Sequence, residues 1–471
     1  VNDLPELDLL HRAGADSGSL VRIPPSDSVP LSRRVRRILD TAALRRLAGI
    51  SQLGMVSLVY PGAMHTRLEH TLGVYQNALR FLARFRGDRL ASRWLDDRHG
   101  DAFLVAALVH DLGHWPFCHP IEDMQLDSVA RHEHRVGQLI REGELAECID
   151  QDWKCDAADV QRLLVGPQND VASDRDGDSD RDSDSDRGSD DGFQFLASCL
   201  SGPIDIDKLD YLQRDSLHCG VDYGRNFDAG RLISSLVVDP STRRLAVGEK
   251  GRTAAEMMVF ARYIMFSEVY WHHAVRSATA MLQRSVFLLH NRLDLNATFK
   301  LADAEWISLL RRTGQGSLAE PMIEGLFGAR RQLFKRVAEF SVLSGEVIHQ
   351  RLARRHHWWL VALCERVAEQ LSRQTGVAVA AADVLIDAPP VKLEVDINTA
   401  VLFADGHAAT LGEVSPVAAV LARQQFDNVV KRVRVFVRPD LREALRTHYP
   451  TLEHWSELLI RCVSQTESEG V

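Results

Sequence analysis

Residues 102–109 read A-F-L-V-A-A-L-V, and the run ends in His110-Asp111. A helix that is apolar nearly all round has no face to give to water, so it must lie inside the fold. Its polar end then has to be satisfied there, because an unpaired charge in the interior is costly. Coordination of a metal by the imidazole and the carboxylate would satisfy both groups. Gly113 and Pro116 break the helix just beyond.

A second histidine-rich block, H-T-R-L-E-H-T-L-G-V from His65, lies one helix-turn-helix upstream. His70 and Arg67 are three residues apart and share a helix face, a pairing that suits a metal ligand beside a bound phosphate oxygen. His110 and His114 are four apart and can face one cavity. Further along, G-P-I-D-I-D-K-L-D-Y-L-Q-R-D-S-L-H-C-G is a helix opened by Pro203 and closed by Gly220. Asp207, Tyr211 and Arg214 form one stripe on it, and Lys208, Tyr211 and Asp215 an overlapping one. These adjoining polar stripes predict the wall of a pocket. Histidine is the commonest metal ligand and a near-neutral acid or base, so the sequence predicts a metal site suited to phosphate-ester hydrolysis.

Apolar residues make up 45% of the 471 and charged residues 26%, ordinary for a water-facing globular chain. The formal charge of −9 argues against a general nucleic-acid coat. Nine Asp against three Arg in 173–192 supply most of that excess. Residues 171–192 carry no apolar side chain after Ala172 and read as a disordered acidic insertion. Seven scattered cysteines without a C-x-x-C fit reduced thiols. No secretory leader and no membrane span are expected, and a cytoplasmic location is.

Residues 1–30 read as a partly ordered arm, and 31–47 as a helix whose outer face carries Arg33, Arg34, Arg36 and Arg37. That face reads as solvated, or as a phosphate or subunit surface. Helices are predicted at 66–86, 101–112, 131–142, 157–165, 253–290, 302–312, 317–326, 329–340 and 346–374, with a hairpin at 232–248. Residues 51–63 read as a turn and a short extended piece. V-A-V-A, D-V-L-I-D, T-A-V-L-F and R-V-R-V-F-V after 376 are β-like. The predicted division is therefore a main domain over 31–300, a helical extension over 301–375 and a small α+β region over 376–471.

H-T-R-L-E-H-T-L-G-V, H-D-L-G-H-W-P-F-C-H, R-H-E-H-R-V-G and D-I-D-K-L-D-Y-L-Q-R-D closely resemble the HD-domain superfamily of metal-dependent phosphohydrolases. Among its branches they look most like the deoxynucleoside triphosphate triphosphohydrolases. The likeness runs from about residue 38 to 276. It implies a mainly α fold with an HD-domain helical core, His70, His110, Asp111 and Asp207 as metal ligands, and His114, His119, His132 and Glu133 as the catalytic or second-metal set. It further implies that His119 protonates the leaving oxygen, oriented by Asp205. Arg67, Lys208 and Arg262 would contact phosphate, Tyr211 and Asp215 the sugar hydroxyl, Tyr270 the sugar face, and Gln52 and Leu53 the base and sugar. Two imidazoles and two carboxylates suit Mn, Fe, Ni or Zn, with Mg as a second ion.

The implied partners are a nucleotide, a dNTP first, and further copies of the chain in a dimer or tetramer. Another nucleotide substrate, and a non-enzymatic nucleotide- or nucleic-acid-binding role, are the alternatives. Two departures stand out. Phe266 occupies a position that is polar in the animal members of the branch. Asp40 matches their activator site, whereas Arg45 and Ala48 do not.

Overall fold

The computed structural model describes residues 4–12, 20–25, 27–126, 129, 132–165, 184–389, 399–421 and 430–468. The apolar run forms the Asp97–Val109 helix, started by Asp96, whose carboxylate accepts from the His99 N–H. Every residue from His99 to Val109 is buried. Around it pack the Arg67–Phe85, Ala157–Val165 and Asp184–Leu200 helices. The Ile206–Cys219 helix lies across the Arg67–Phe85 helix. Their approach depends on Gly73, where a Cβ would overlap the Asp210 carboxylate.

The N-terminal arm holds more order than its composition suggests. It contains a helix, Pro5–Arg12, and a hairpin of β1 (Leu20–Ile23) with β2 (Asp27–Pro30). The arginine-rich helix, Arg33–Leu39, does not simply present its charges to water. Arg34 bridges Glu6 and Asp101 at 2.6 and 2.8 Å, with both carboxylates fully buried. Arg37 pairs with Asp152 at 2.5 Å.

Four corrections concern local structure. Residues 184–192 of the acidic tract, expected to be disordered, are the first part of the Asp184–Leu200 helix; 166–183 lie outside the described residues. Residues 335–340, expected to be helical, are strand β5 after the hairpin β3 (Leu236–Asp239) and β4 (Arg244–Gly248). The long helix expected over 253–290 is interrupted by a π-helical turn, Met265–Tyr270, between Arg252–Ile264 and His273–Leu289. Residues 54–58, expected to be extended, are a short 3-10 helix.

The remaining strands are β6 (Val384–Asp387), β7 (Ala400–Leu402), β8 (Ala408–Thr410) and β9 (Val433–Val437). The order β5-β9-β6 is antiparallel throughout. Val433, Val435 and Val437 on one face of β9 meet the core beneath the His357–Thr375 and Leu452–Ser468 helices, while Phe436 on the other face enters the core around the His273–Leu289 helix. Strand β7 pairs in parallel with β4 and antiparallel with β8. Strands from 384–437 thus complete sheets begun at 236–248 and 335–340, across the divisions predicted near 300 and 376. Residues 377–380 form no strand. No helix among the described residues is long and apolar enough to cross a membrane.

Replacing Arg34 by Ala would leave two fully buried carboxylates without their cation. The expected loss is about 3–5 kcal/mol of unfolding free energy, read by denaturant titration; a loss below 1 kcal/mol would contradict the anchoring role.

Candidate active site

His70 sits one turn into the Arg67–Phe85 helix, His110 and Asp111 directly follow the buried Asp97–Val109 helix, and Asp207 lies at the start of the Ile206–Cys219 helix. The three segments bring these side chains together. His70 Nε2 is 3.0 Å from Asp207 Oδ1 and 3.3 Å from His110 Nε2. Asp111 closes the group, with Oδ1 3.6 Å from His110 Nε2 and Oδ2 4.0 Å from His70 Nε2.

The donor set fits a divalent transition metal. Adjacent ligands on an octahedral ion at about 2.1 Å stand about 3 Å apart, close to the two shortest separations here. The hydrogen bonds also fix the imidazoles for coordination. His110 Nδ1 lies 2.9 Å from the Ala107 carbonyl, which can only accept, and His70 Nδ1 lies 2.8 Å from the Asp210 carboxylate. Both rings therefore carry their hydrogen on Nδ1 when neutral, and two Nε2 lone pairs face each other across 3.3 Å. A metal cation, or a second proton on His70, relieves that contact. Burial disfavours charge on His70, but its hydrogen bonds to the Asp207 and Asp210 carboxylates prevail and raise its pKa to about 10. Burial likewise opposes ionisation of Asp207, yet the His70 bond takes it down to about 2. Asp111 is held well below the usual carboxylate range against its burial by His114, Arg67, His110 and His70. The pocket is set up for positive charge.

Asp111 also links this group to the second histidine set. Arg67 Nη1 donates to its Oδ2 at 2.6 Å, and His114 Nδ1 lies 3.1 Å from its Oδ1. His114 Nε2 is 3.3 Å from His119 Nε2, and the His114 and His132 rings are 3.9 Å apart. That approach needs Gly113, where a Cβ would overlap the His132 carbonyl. The carboxylate serving this set is Glu122: it lies 3.0 Å from His132 Nδ1 and 3.7 Å from His119 Nδ1. Asp205, expected to orient His119, instead caps the Ile206–Cys219 helix through the Lys208 N–H and pairs with Lys208 Nζ at 2.5 Å. Glu133 lies in the His132–Leu139 helix, with its side chain outside the described residues.

On the other flank, Asp215 is buried between two partners. His65 Nε2 is 2.8 Å from its Oδ1, and the Tyr270 hydroxyl donates to its Oδ2 at 2.6 Å. Tyr270 ends the π turn, and Phe266 within that turn meets its ring edge-on at 5.0 Å. Arg262 lies 5.7 Å from the Phe266 ring. Arg262 and Lys208 both oppose the burial that raises the Tyr211 phenol to about 12, which places two cations around that hydroxyl. Gln52 N donates to the His65 carbonyl and Arg67 N to the Ile50 carbonyl, so the strip with Gln52 and Leu53 runs beside Arg67. Gln52 Oε1 and Arg67 Nε are buried without a hydrogen-bond partner among the described residues. Such orphans mark a place for a ligand.

Sequence patterning did not reveal the support behind these groups. Asp210 holds His70 and is held in turn by a two-pronged bond from Arg214 at 2.7 and 2.9 Å. Arg214, expected on the pocket wall, is buried and also reaches Glu69 at 2.8 Å. Glu69 takes His218 at 2.8 Å, and His218 stacks on His65 at 4.3 Å. The i, i+4 spacing of Asp210 and Arg214 was the one available signal. Changing Asp210 to Asn should weaken metal binding about 10–100-fold, measured by calorimetric titration of apoprotein with Mn²⁺ while circular dichroism stays native. Unchanged affinity would mean that Asp210 does not support the ligand.

Residues 227–451 match the family described as "HD associated region". An uncharacterised protein of Methanocaldococcus jannaschii is 28% identical over 395 residues, 83% of this chain and 73% of that one. The deoxynucleoside triphosphate triphosphohydrolase SAMHD1 of Gallus gallus is 32% identical over 235 residues, 47% of this chain and 37% of that enzyme. A crystal structure of a hypothetical protein from Aquifex aeolicus superposes with a TM-score of 0.67 at 27% identity, over 91% of this chain and 98% of that one. With His70, His110 and Asp207 gathered at one point and Asp111 beside them, these likenesses support an HD-domain phosphohydrolase family for the chain.

Proposed function

We propose that the chain hydrolyses a deoxynucleoside triphosphate to the deoxynucleoside and inorganic triphosphate. The reading rests on one juxtaposition: Asp215, bonded to Tyr270, stands on the same Ile206–Cys219 helix as Lys208 and as Asp207 of the metal-type set, and Arg67 bonds to Asp111 of that set. The likeness to the chicken dNTP triphosphohydrolase supports it. A divalent transition metal held by His70, His110, Asp111 and Asp207 would acidify the attacking water and polarise the phosphoryl group.

The side chains supply the rest. Arg67 and Lys208 neutralise charge that develops on the phosphate oxygens. Water's oxygen bonds to the α-phosphorus as the bond to the 5′-oxygen breaks, and His119 gives that oxygen its proton. Burial and Arg67 keep His114 neutral, and its Nε2 lies 3.3 Å from that of His119. Glu122 holds His119 and His132 in place. Asp215 and Tyr211 take the 3′-hydroxyl. The Tyr270 ring, fixed by its bond to Asp215, lies where a 2′-hydroxyl would find no partner, which disfavours ribonucleotides by about 10²-fold.

Purified protein supplied with Mn²⁺ and each dNTP and rNTP should release deoxynucleoside and inorganic triphosphate, with dNTPs preferred. His110→Ala should lower turnover by on the order of 10³-fold. Tyr270→Ala should narrow the preference for dNTPs over rNTPs. Release of a monophosphate with pyrophosphate would overturn this reading, as would turnover confined to a monophosphate or cyclic nucleotide.

A further inference from the structure

Cys118 is buried at 1% exposure, next to His119 and within reach of His114 and His132. A ligand atom from each of these four side chains lies within 4.8 Å of the others. The hydrolytic scheme uses the imidazoles and gives the thiol no task. Neutral cysteine packs as a small hydrophobe, but it does not ordinarily face three histidines.

The imidazoles are arranged as metal ligands are. Nδ1 of His114 is turned to Asp111, at 3.1 Å from its carboxylate, and Nδ1 of His132 lies 3.0 Å from Glu122. Nδ1 of His119 points the same way, 3.7 Å from Glu122. Anchoring one ring nitrogen on a carboxylate commits the other, Nε2, to coordination. The 3.3 Å between His114 Nε2 and His119 Nε2 equals the edge of a tetrahedron around an ion with bonds of about 2.0–2.1 Å. The backbone also holds Cys118 in position at a cost. Phe117, directly before it, has φ of 56°, a left-handed conformation that is strained for a bulky residue. Its ring is held between Trp306 and Phe327, at 5.2 and 5.7 Å, so tertiary packing maintains the strained turn.

We propose that His114, Cys118, His119 and His132 form a second metal site, separate from the His70 group, that takes a soft divalent cation, zinc by preference, through three nitrogens and one sulfur. The first group offers nitrogen and oxygen only, and thiolate is what selects zinc over manganese or magnesium. On binding, the thiol proton goes to solvent and the sulfur–metal bond replaces it. His119 Nε2, once bound, has no proton to give. Zinc in this site therefore silences an enzyme whose first site stays loaded. That consequence rests on the proposed role of His119, whereas the site itself does not.

Cobalt(II) separates the two. Added to the full-length protein, it should give a near-ultraviolet sulfur-to-cobalt charge-transfer band and the visible bands of a tetrahedral ion. Because the His70 group has no sulfur, that band reports this site alone. Cys118→Ser, nearly isosteric, should abolish the band and raise the zinc concentration for half-inhibition of the Mn²⁺-loaded protein at least tenfold, with uninhibited turnover unchanged. X-ray absorption on the zinc-loaded native protein supplies a check that needs no variant: one sulfur neighbour at about 2.3 Å. Absence of both the band and the sulfur neighbour would overturn the site, and so would a band that survives Cys118→Ser. A thiolate band without zinc inhibition would keep the site and remove His119 from the acid role.

Discussion

Two imidazole nitrogens, those of His70 and His110, are held 3.3 Å apart inside this protein, and the side chains behind His70 keep it there. His70 cannot turn away because Asp210 holds its other nitrogen at 2.8 Å, and Asp210 cannot turn away because Arg214 grips both its oxygens. The grip is possible only because Gly73 puts no side chain between the Arg67–Phe85 and Ile206–Cys219 helices. A missing methyl group at one position thus lets two buried helices approach closely enough to create a site that calls for a cation.

Asp111 makes that site one part of a larger device. Its carboxylate meets Arg67, His110 and His114, so it joins the metal-type group, the Arg67 guanidinium and the second histidine set. The opposite flank is stiffened by a continuous run of polar contacts from Asp210 through Arg214 and Glu69 to the His218–His65 stack, then to Asp215 and Tyr270. Each member contacts its neighbour, which rigidifies this flank, while His65 Nδ1 is buried without a hydrogen-bond partner among the described residues. A substrate bridging both flanks would meet a preorganised pocket on each side.

The sequence showed the skeleton of this arrangement clearly. A helix that is apolar all round has one place to go, and its His-Asp end had to find partners there, so His110 and Asp111 were legible for that reason; His70 and Asp207 were legible through the resemblance. Asp210 and Glu122 were not, because a supporting carboxylate on a helix looks like any surface charge until its neighbour across the fold is known. Asp205 meets the same difficulty: an N-terminal cap and a catalytic carboxylate have the same local pattern, and the structure shows Asp205 capping its helix and paired with Lys208. Residues 335–340 carry Lys335, Arg336 and Glu339 among apolar positions and pass for an amphipathic helix, whereas pairing with β9 decides for strand. Arg34 looked like one member of a solvated basic face, and only its contacts with the buried Glu6 and Asp101 carboxylates show it half-buried in an ion triad.

The central claim is spatial, and anomalous diffraction from crystals grown with Mn²⁺ tests it directly. One strong peak should lie about 2.0–2.3 Å from His70 Nε2, His110 Nε2, Asp111 and Asp207 together. A map with no peak there, or with Asp207 turned out of the group while manganese binds elsewhere, would contradict the account.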